Sequence, residues 1–196
     1  VFGFSACVVG LARPQGGHYA TSQRGLRGDL FIAIDISNSM RVQDISPSRL
    51  EFSTAFVRRL LRQIPGLRVA IFPFAGDGYL QMPLSSDQEA AGDLVGALTP
   101  SITTNQGTNF DAGLSTLFQA IQKEKQATAV ESSPVRVLLL SDGESHEPVP
   151  SAVLEKFRSR SIPIDTVGVG TAEGGLIPLE SRGGFGLEPL RDMEGK

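Results

Sequence analysis

The stretch Asp29-Leu30-Phe31-Ile32-Ala33-Ile34-Asp35-Ile36-Ser37-Asn38-Ser39 decides how this chain is read. Leu30 to Ile34 is apolar at every position. A strand with one wet face would alternate, so an unbroken run fits a strand covered on both faces. After Ile34 the sequence turns polar at every second position. With the backbone still extended there, side chains 35, 37 and 39 point the same way. One carboxylate and two hydroxyls then share one side of a loop at the carboxyl end of a buried strand.

The rest of the chain alternates between two periods. Arg49 to Ile64 reads as a helix whose apolar stripe is Leu50, Phe56, Val57, Leu60, Leu61 and Ile64. Its start is marked by Ser46-Pro47, or by Ser48 with Glu51 as a capping box, and Gly66 ends it. Val69 to Phe72 is a second buried strand. Tyr79 to Leu84 is a weaker one, joined through Gly76-Asp77-Gly78 and read as an antiparallel hairpin partner. Ser86 with Glu89 caps a helix running to Leu98. A polar loop, Thr99 to Gly107, precedes a helix carrying Phe110, Leu114, Leu117, Phe118 and Ile121 on one face. Val135 to Leu140 is the most apolar strand, Pro150 to Ser161 a helix, and Ile164 to Val169 the last clear strand. Gly170 to Lys196 holds seven glycines and no convincing periodic element.

Strands separated by amphipathic helices imply right-handed crossovers. The expected fold is therefore α/β, doubly wound, with a mainly parallel sheet, one antiparallel edge strand and helices on both faces. In such sheets ligands bind beyond the carboxyl ends of the strands.

Composition narrows the function. The chain has 196 residues, 40% of them apolar and 20% charged, with a formal charge of -3. The sequence pI is about 5.4. That is an ordinary globular composition, without the basic surplus of a general nucleic-acid binder. Cys7 is the one cysteine, so neither a disulfide framework nor a cysteine zinc cluster can form within the chain. His18 and His146, the two histidines, lie in very different segments.

Three loops fall at the carboxyl edge. The first carries Asp35, Ser37 and Ser39. The second, Gln106-Gly107-Thr108-Asn109, puts Thr108 near a helix start. The third, Ser141-Asp142-Gly143-Glu144, follows the most apolar strand. Asp35, Ser37, Ser39, Thr108 and Asp142 supply only oxygen. That suits a hard cation, magnesium first, with manganese and calcium as alternatives. Two aspartates with no Lys or Arg beside them in sequence would repel, and a divalent ion would relieve the repulsion. Each piece alone has a plainer reading: Ser-x-Ser as a turn, Asp142-Gly143 as a tight turn, Thr108 as a helix cap. Glu144 and His146 read best as surface loop positions.

In combination and in order, Asp35-x-Ser37-x-Ser39, Thr108 and Asp142 resemble the metal-ion-dependent adhesion site of the von Willebrand factor A domain. The resemblance covers residues 29–170. Leu11-Ala12-Arg13-Pro14-Gln15, Asp44-x-x-Pro47-Ser48-Arg49-Leu50, Ser141-Asp142-Gly143-Glu144 and the run from Val167 to Pro178 further resemble the bacterial aerotolerance-type (Bat) membrane proteins. The resemblance implies a protein-interaction domain rather than an enzyme. Ser37, Ser39 and Thr108 would ligate a magnesium ion directly and Asp35 and Asp142 through water. A partner's Asp or Glu would fill the open position.

By family analogy the partner is a MoxR-type AAA+ ATPase or a related domain of the same type. Nine of the first twelve residues are apolar, a run that fits either a short helix packed on the domain or the end of a membrane helix. The Bat resemblance, in which membrane helices precede the Ala-Arg-Pro-Gln segment, implies the second, so residues 1–28 are expected to hold the end of a membrane helix and a linker. That run is too short to span a bilayer alone. The Bat-type proteins carry basic residues between their first two membrane helices, so the resemblance implies a domain outside the cytoplasm of a bacterial inner-membrane protein. Residues 171–196 form a Gly-rich segment, and the sheet is expected to lack its last edge strand.

Two rival readings are weaker. A magnesium-dependent phosphoryl-transfer hydrolase with Asp35 as acceptor would need a second Asp two positions on, where Ser37 stands. No G-x-S-x-G or G-x-x-x-x-G-K-[ST] motif is present, and Gly168-x-Gly170 is followed at position 173 by Glu. A structural module with a vestigial metal site sits poorly with a complete ligand set.

Overall fold

A computed structural model describes residues 28–103, 105, 107–127, 133–144, 151–180 and 187–189. The membrane-helix reading of the N-terminal segment, and the readings of Gln106 and His146, lie outside these residues. Seven strands are described: β1 (Asp29–Asp35), β2 (Arg68–Phe74), β3 (Met82–Ser85), β4 (Val135–Ser141), β5 (Ile164–Gly168), β6 (Pro178–Glu180) and β7 (Leu187–Pro189). Four α-helices accompany them: α1 (Arg49–Leu61), α2 (Gln88–Gly96), α3 (Phe110–Ala127) and α4 (Ser151–Ser159).

The main sheet has the order β3-β2-β1-β4-β5, with β2-β3 antiparallel and the other pairs parallel. The doubly wound fold expected from the sequence is the one observed. β1 lies between β2 and β4, and strand order reverses there. β5 forms one edge of this sheet among the described residues. The segment read as aperiodic contributes β6 and β7, which pair antiparallel in a small second sheet.

β1 is buried at all seven positions, which explains its unbroken apolar run. Its side chains still alternate between faces. Leu30, Ile32 and Ile34 enter one core layer with Leu50, Val57 and Leu61 of α1 and Ala91 and Val95 of α2. Phe31 and Ala33 enter the other with Phe110, Leu114, Leu117 and Ile121 of α3 and Val153 and Phe157 of α4. Each helix thus buries most of its apolar stripe, but Phe56 of α1 and Leu154 of α4 are exposed. Burying a side chain such as Phe31 or Ile32 contributes roughly 1.5–3 kcal/mol, so the central strand is a rigid base for the loop that follows it.

The helix starts refine the sequence reading. Ser48 caps α1, its hydroxyl accepting from the Glu51 amide at 3.2 Å. Asp87, not Ser86, caps α2, accepting from the Ala90 amide at 2.9 Å. Asn109, not Thr108, caps α3, accepting from the Ala112 amide at 2.9 Å. All of these are good capping types, so type alone could not choose between neighbours.

At the amino end of β1, Asp29 is buried and forked by Arg68, with both hydrogen bonds at 2.8 Å. Lys125 lies 3.7 Å from the same carboxylate. The opposite end of the same strand carries Asp35.

Candidate metal centre

Asp35 closes β1 and is fully buried. Its Oδ1 accepts from the Ser37 amide at 2.9 Å, and its Oδ2 accepts from the Ser141 hydroxyl at 2.7 Å. The first bond is local, between residues two apart, and the second follows from topology. Ile34 of β1 is in register with Leu140 of β4, so the residues that follow, Asp35 and Ser141, meet where strand order reverses.

Ser37 is still extended, but residues Asn38–Arg41 form a tight 3-10 turn. The sequence expectation of three side chains aligned by an extended backbone therefore holds only to Ser37. The turn, rather than the strand pleat, brings the Ser37 and Ser39 hydroxyls to 2.9 Å of each other. Both serines are buried.

Asp142 follows Ser141 directly, and 2% of its side chain is exposed. Its Oδ1 accepts from the Glu144 amide at 3.0 Å. Thr108, also buried, lies just before α3. Its neighbour Asn109 donates its amide to the Ala75 carbonyl at 3.0 Å, and the Gly76 amide donates to the Asn105 carbonyl at 3.1 Å. A Cβ on Gly76 would lie 2.6 Å from the Asn105 side chain, so the loop is held close against the carboxyl end of β2. The Phe74 carbonyl there accepts from the Ile36 amide at 2.8 Å. The Thr108 hydroxyl has no capping duty, because Asn109 has taken it.

Burial pushes the Asp35 carboxyl up to about 6, against hydrogen bonds from Ser37 and Ser141, and the charge of Asp142 adds to the rise. Among the described residues no Lys, Arg or His pairs with Asp35. Two buried carboxylates on β1 thus have opposite fates: Asp29 has its cation and Asp35 does not.

No Lys or Arg stands beside Asp35 or Asp142 in sequence, but the fold gives Asp142 a basic neighbour. Arg49 reaches it from the start of α1, with Nη1 at 2.8 Å from Oδ2. Arg49 stands five residues after Asp44 and far from Asp142, so adjacency could not reveal it. One signal was available. A cation in the first turn of a helix opposes the helix dipole, so a buried Arg there needs acidic partners. Ser141 also escaped notice as the donor to Asp35. Glu144 fits its surface reading, with 61% of its side chain exposed and Arg49 at 3.4 Å.

The donor set fits a hard cation: two carboxylates and three hydroxyls, no sulfur or nitrogen, with one carboxylate lacking a counter-charge. Among the described residues no three His, Cys, Asp or Glu side chains gather as a metal cluster. A cation here would therefore depend on the hydroxyls.

Comparison with known proteins agrees with the fold. A family model for the von Willebrand factor type A domain matches residues 30–144. An aerotolerance-related membrane protein from Bacteroides fragilis shares 32% identity at a TM-score of 0.74, covering 86% of this chain and 79% of that one. BatB from Bacteroides thetaiotaomicron shares 31% identity at 0.74, covering 86% and 77%. A UPF0353 protein of Mycolicibacterium paratuberculosis is 28% identical over 165 residues, covering 80% of this chain and 48% of the relative. The chain spans about half the length of the curated relatives it matches. No helix among the described residues is long and apolar enough to cross a membrane. The doubly wound sheet, the order of its loops and the match over more than half its length agree: the chain belongs to the von Willebrand factor type A domain family.

Proposed function

We propose that this domain binds a partner protein through a divalent cation held by Asp35, Ser37, Ser39, Thr108 and Asp142. Domains of this family are generally metal-dependent interaction modules without catalytic activity. The observation that carries the reading is the state of Asp35, a fully buried carboxylate with two hydrogen-bond donors and, among the described residues, no Lys, Arg or His paired with it. Such a charge is costly unless something positive compensates it.

A bound cation would supply a positive centre with a coordination position for an outside carboxylate. The chain's own residues do the rest. The Ser37 amide and the Ser141 hydroxyl fix the Asp35 carboxylate. The tight turn at Asn38–Arg41 keeps the two serine hydroxyls together. Neutral hydroxyls leave much of the cation's charge unspent, which favours an acidic visitor. Magnesium is the ion proposed, with manganese and calcium as alternatives. The partner proposed is a protein presenting Asp or Glu. On family resemblance alone this is a MoxR-type ATPase or a related domain, met outside the cytoplasm by a membrane-anchored protein.

Calorimetric titration with magnesium tests the site. Asp35→Ala and Thr108→Ala should each weaken binding of the ion, and unchanged affinity in both would refute the assignment. Pull-down with and without a chelator tests the partner. Retention that ignores the chelator would reject cation-mediated recognition.

A further inference from the structure

The Asp44-x-x-Pro47-Ser48-Arg49 run has no part in the ligand set, yet the structure folds it against the site. Arg49 is 3% exposed. Its Nε and Nη2 fork the Asp44 carboxylate at 3.0 and 2.9 Å, while Nη1 donates to Asp142 at 2.8 Å and to Glu144 at 3.4 Å. Asp44 in turn accepts from the Thr171 amide at 2.8 Å and the Thr171 hydroxyl at 3.1 Å.

The segment after β5 is shaped to this contact. Gly170 has φ +144°, and a Cβ there would lie 3.2 Å from the Arg49 Nε. A Cβ on Gly175 would lie 2.6 Å from the Val42 Cγ1. Residues 170–175 therefore lie directly on Arg49, Asp44 and Val42. A cleft of about 510 Å³ opens between this segment and Asp142.

We propose that Arg49 is a positioning residue for the cation site, and that through Asp44 it couples cation affinity to the docking of residues 170–175. The proposal rests on the reading of Asp35, Ser37, Ser39, Thr108 and Asp142 as a cation site. One guanidinium serves both sides. While Asp44 holds two of its nitrogens, Arg49 can give Asp142 only Nη1. That single contact orients the carboxylate and leaves lone pairs on it for an ion or its water. Without Asp44, the guanidinium can turn its fork onto Asp142 and compete with a cation for the same charge. Thr171 supports the first arrangement by donating twice to Asp44. Linkage makes the effect reciprocal: whatever draws Asp142 toward a cation strengthens the Arg49–Asp44–Thr171 side.

The test measures magnesium affinity by calorimetry and backbone exchange over 170–175 by mass spectrometry, with and without magnesium. Four proteins are compared: wild type, Asp35→Ala, Asp44→Asn and Thr171→Val. Groups that support a metal ligand are typically worth roughly 10–100-fold in affinity, so Asp44→Asn should bind about tenfold or more weakly. Thr171→Val, an exposed change expected to leave the fold intact, should weaken binding in the same direction by less. Magnesium should slow exchange over 170–175 in wild type and leave Asp44→Asn unaffected, a readout that a purely structural Arg49 would not move.

If wild type shows no magnesium binding, or Asp35→Ala binds as wild type does, the cation-site reading fails and the proposal with it. If Asp35→Ala loses binding while Asp44→Asn and Thr171→Val keep wild-type affinity, the positioning role alone is overturned. Exchange over 170–175 that is indifferent to magnesium in wild type likewise removes the coupling. Should Asp44→Asn fail to fold, Thr171→Val decides.

Discussion

The Ser141 hydroxyl donates to the Asp35 Oδ2 at 2.7 Å and ties the carboxyl end of β4 to that of β1. The bond spans the point where strand order reverses, so it joins two loops of the candidate site. A hydrogen bond to a charged group is worth roughly 1.5–3 kcal/mol, and Ser141→Ala should lose about that much. Ser141→Thr keeps the hydroxyl and should lose less. Urea unfolding in chelator measures both. A Ser141→Ala protein as stable as wild type would show that this bond does not hold the two loops together.

Thr108 and Asn109 separate two jobs that sequence alone cannot. Asn109 caps α3, while Thr108 is buried without that role. Asn109→Ala should therefore cost roughly 1 kcal/mol of stability, the usual loss of a cap, and leave magnesium affinity little changed. Thr108→Ala should do the reverse. Thermal melts and calorimetry on the two variants check the pair. The opposite pattern would make Thr108 a structural residue and remove it from the ligand set.

The adjacent pairs Thr108/Asn109 and Ser86/Asp87 show where sequence reading stops. Helix existence was legible because apolar stripes repeat over several turns; the capping position was not, because neighbouring residues qualify equally. β1 was legible because helices bury both its faces and leave no polar position between Asp29 and Asp35. β6 and β7 were not, since three residues are too few to display a period. For the site, Asp35 and Asp142 could be placed from their strand ends. Arg49 could not be assigned to Asp142, because |i−j| for the pair is 93 and only the fold joins them.

Asp44 should leave a signature in acid. The Arg49 fork holds its carboxyl well below the usual carboxylate range against the opposing effect of burial, and the Thr171 amide and hydroxyl add to the lowering. A group whose folded pKa is depressed binds more protons unfolded, so it stabilises the fold above its unfolded value and loses that contribution as pH falls. The stability difference between wild type and Asp44→Asn should thus be steady from about pH 7 to 5. It should shrink below about pH 4, the ordinary carboxylate range. Urea midpoints across this range provide the check, and a difference that persists unchanged into strong acid would mean that Asp44 is not held by charge.

Asp35 predicts a trade between stability and binding. Its carboxylate is fully buried and pairs with no Lys, Arg or His among the described residues, whereas Asp29 on the same strand is forked by Arg68. In chelator, Asp35→Asn removes an uncompensated charge. Its amide oxygen can still accept from the Ser37 amide, and its nitrogen can donate to the Ser141 oxygen. The variant should be more stable than wild type by about 1–2 kcal/mol, within the range that relief of one buried charge can give. For a domain of this size that is a rise of about 2–8 °C in Tm. Magnesium should then reverse the order, because binding stabilises only a protein that holds the ion, and Asp35→Asn should gain little. Asp29→Asn, which takes the carboxylate from Arg68, should lose stability under both conditions. Differential scanning fluorimetry on the three proteins, with chelator and with magnesium, reads all of this. A chelated Asp35→Asn protein that melts below wild type would show that Asp35 is already compensated within the fold and has no need of a cation.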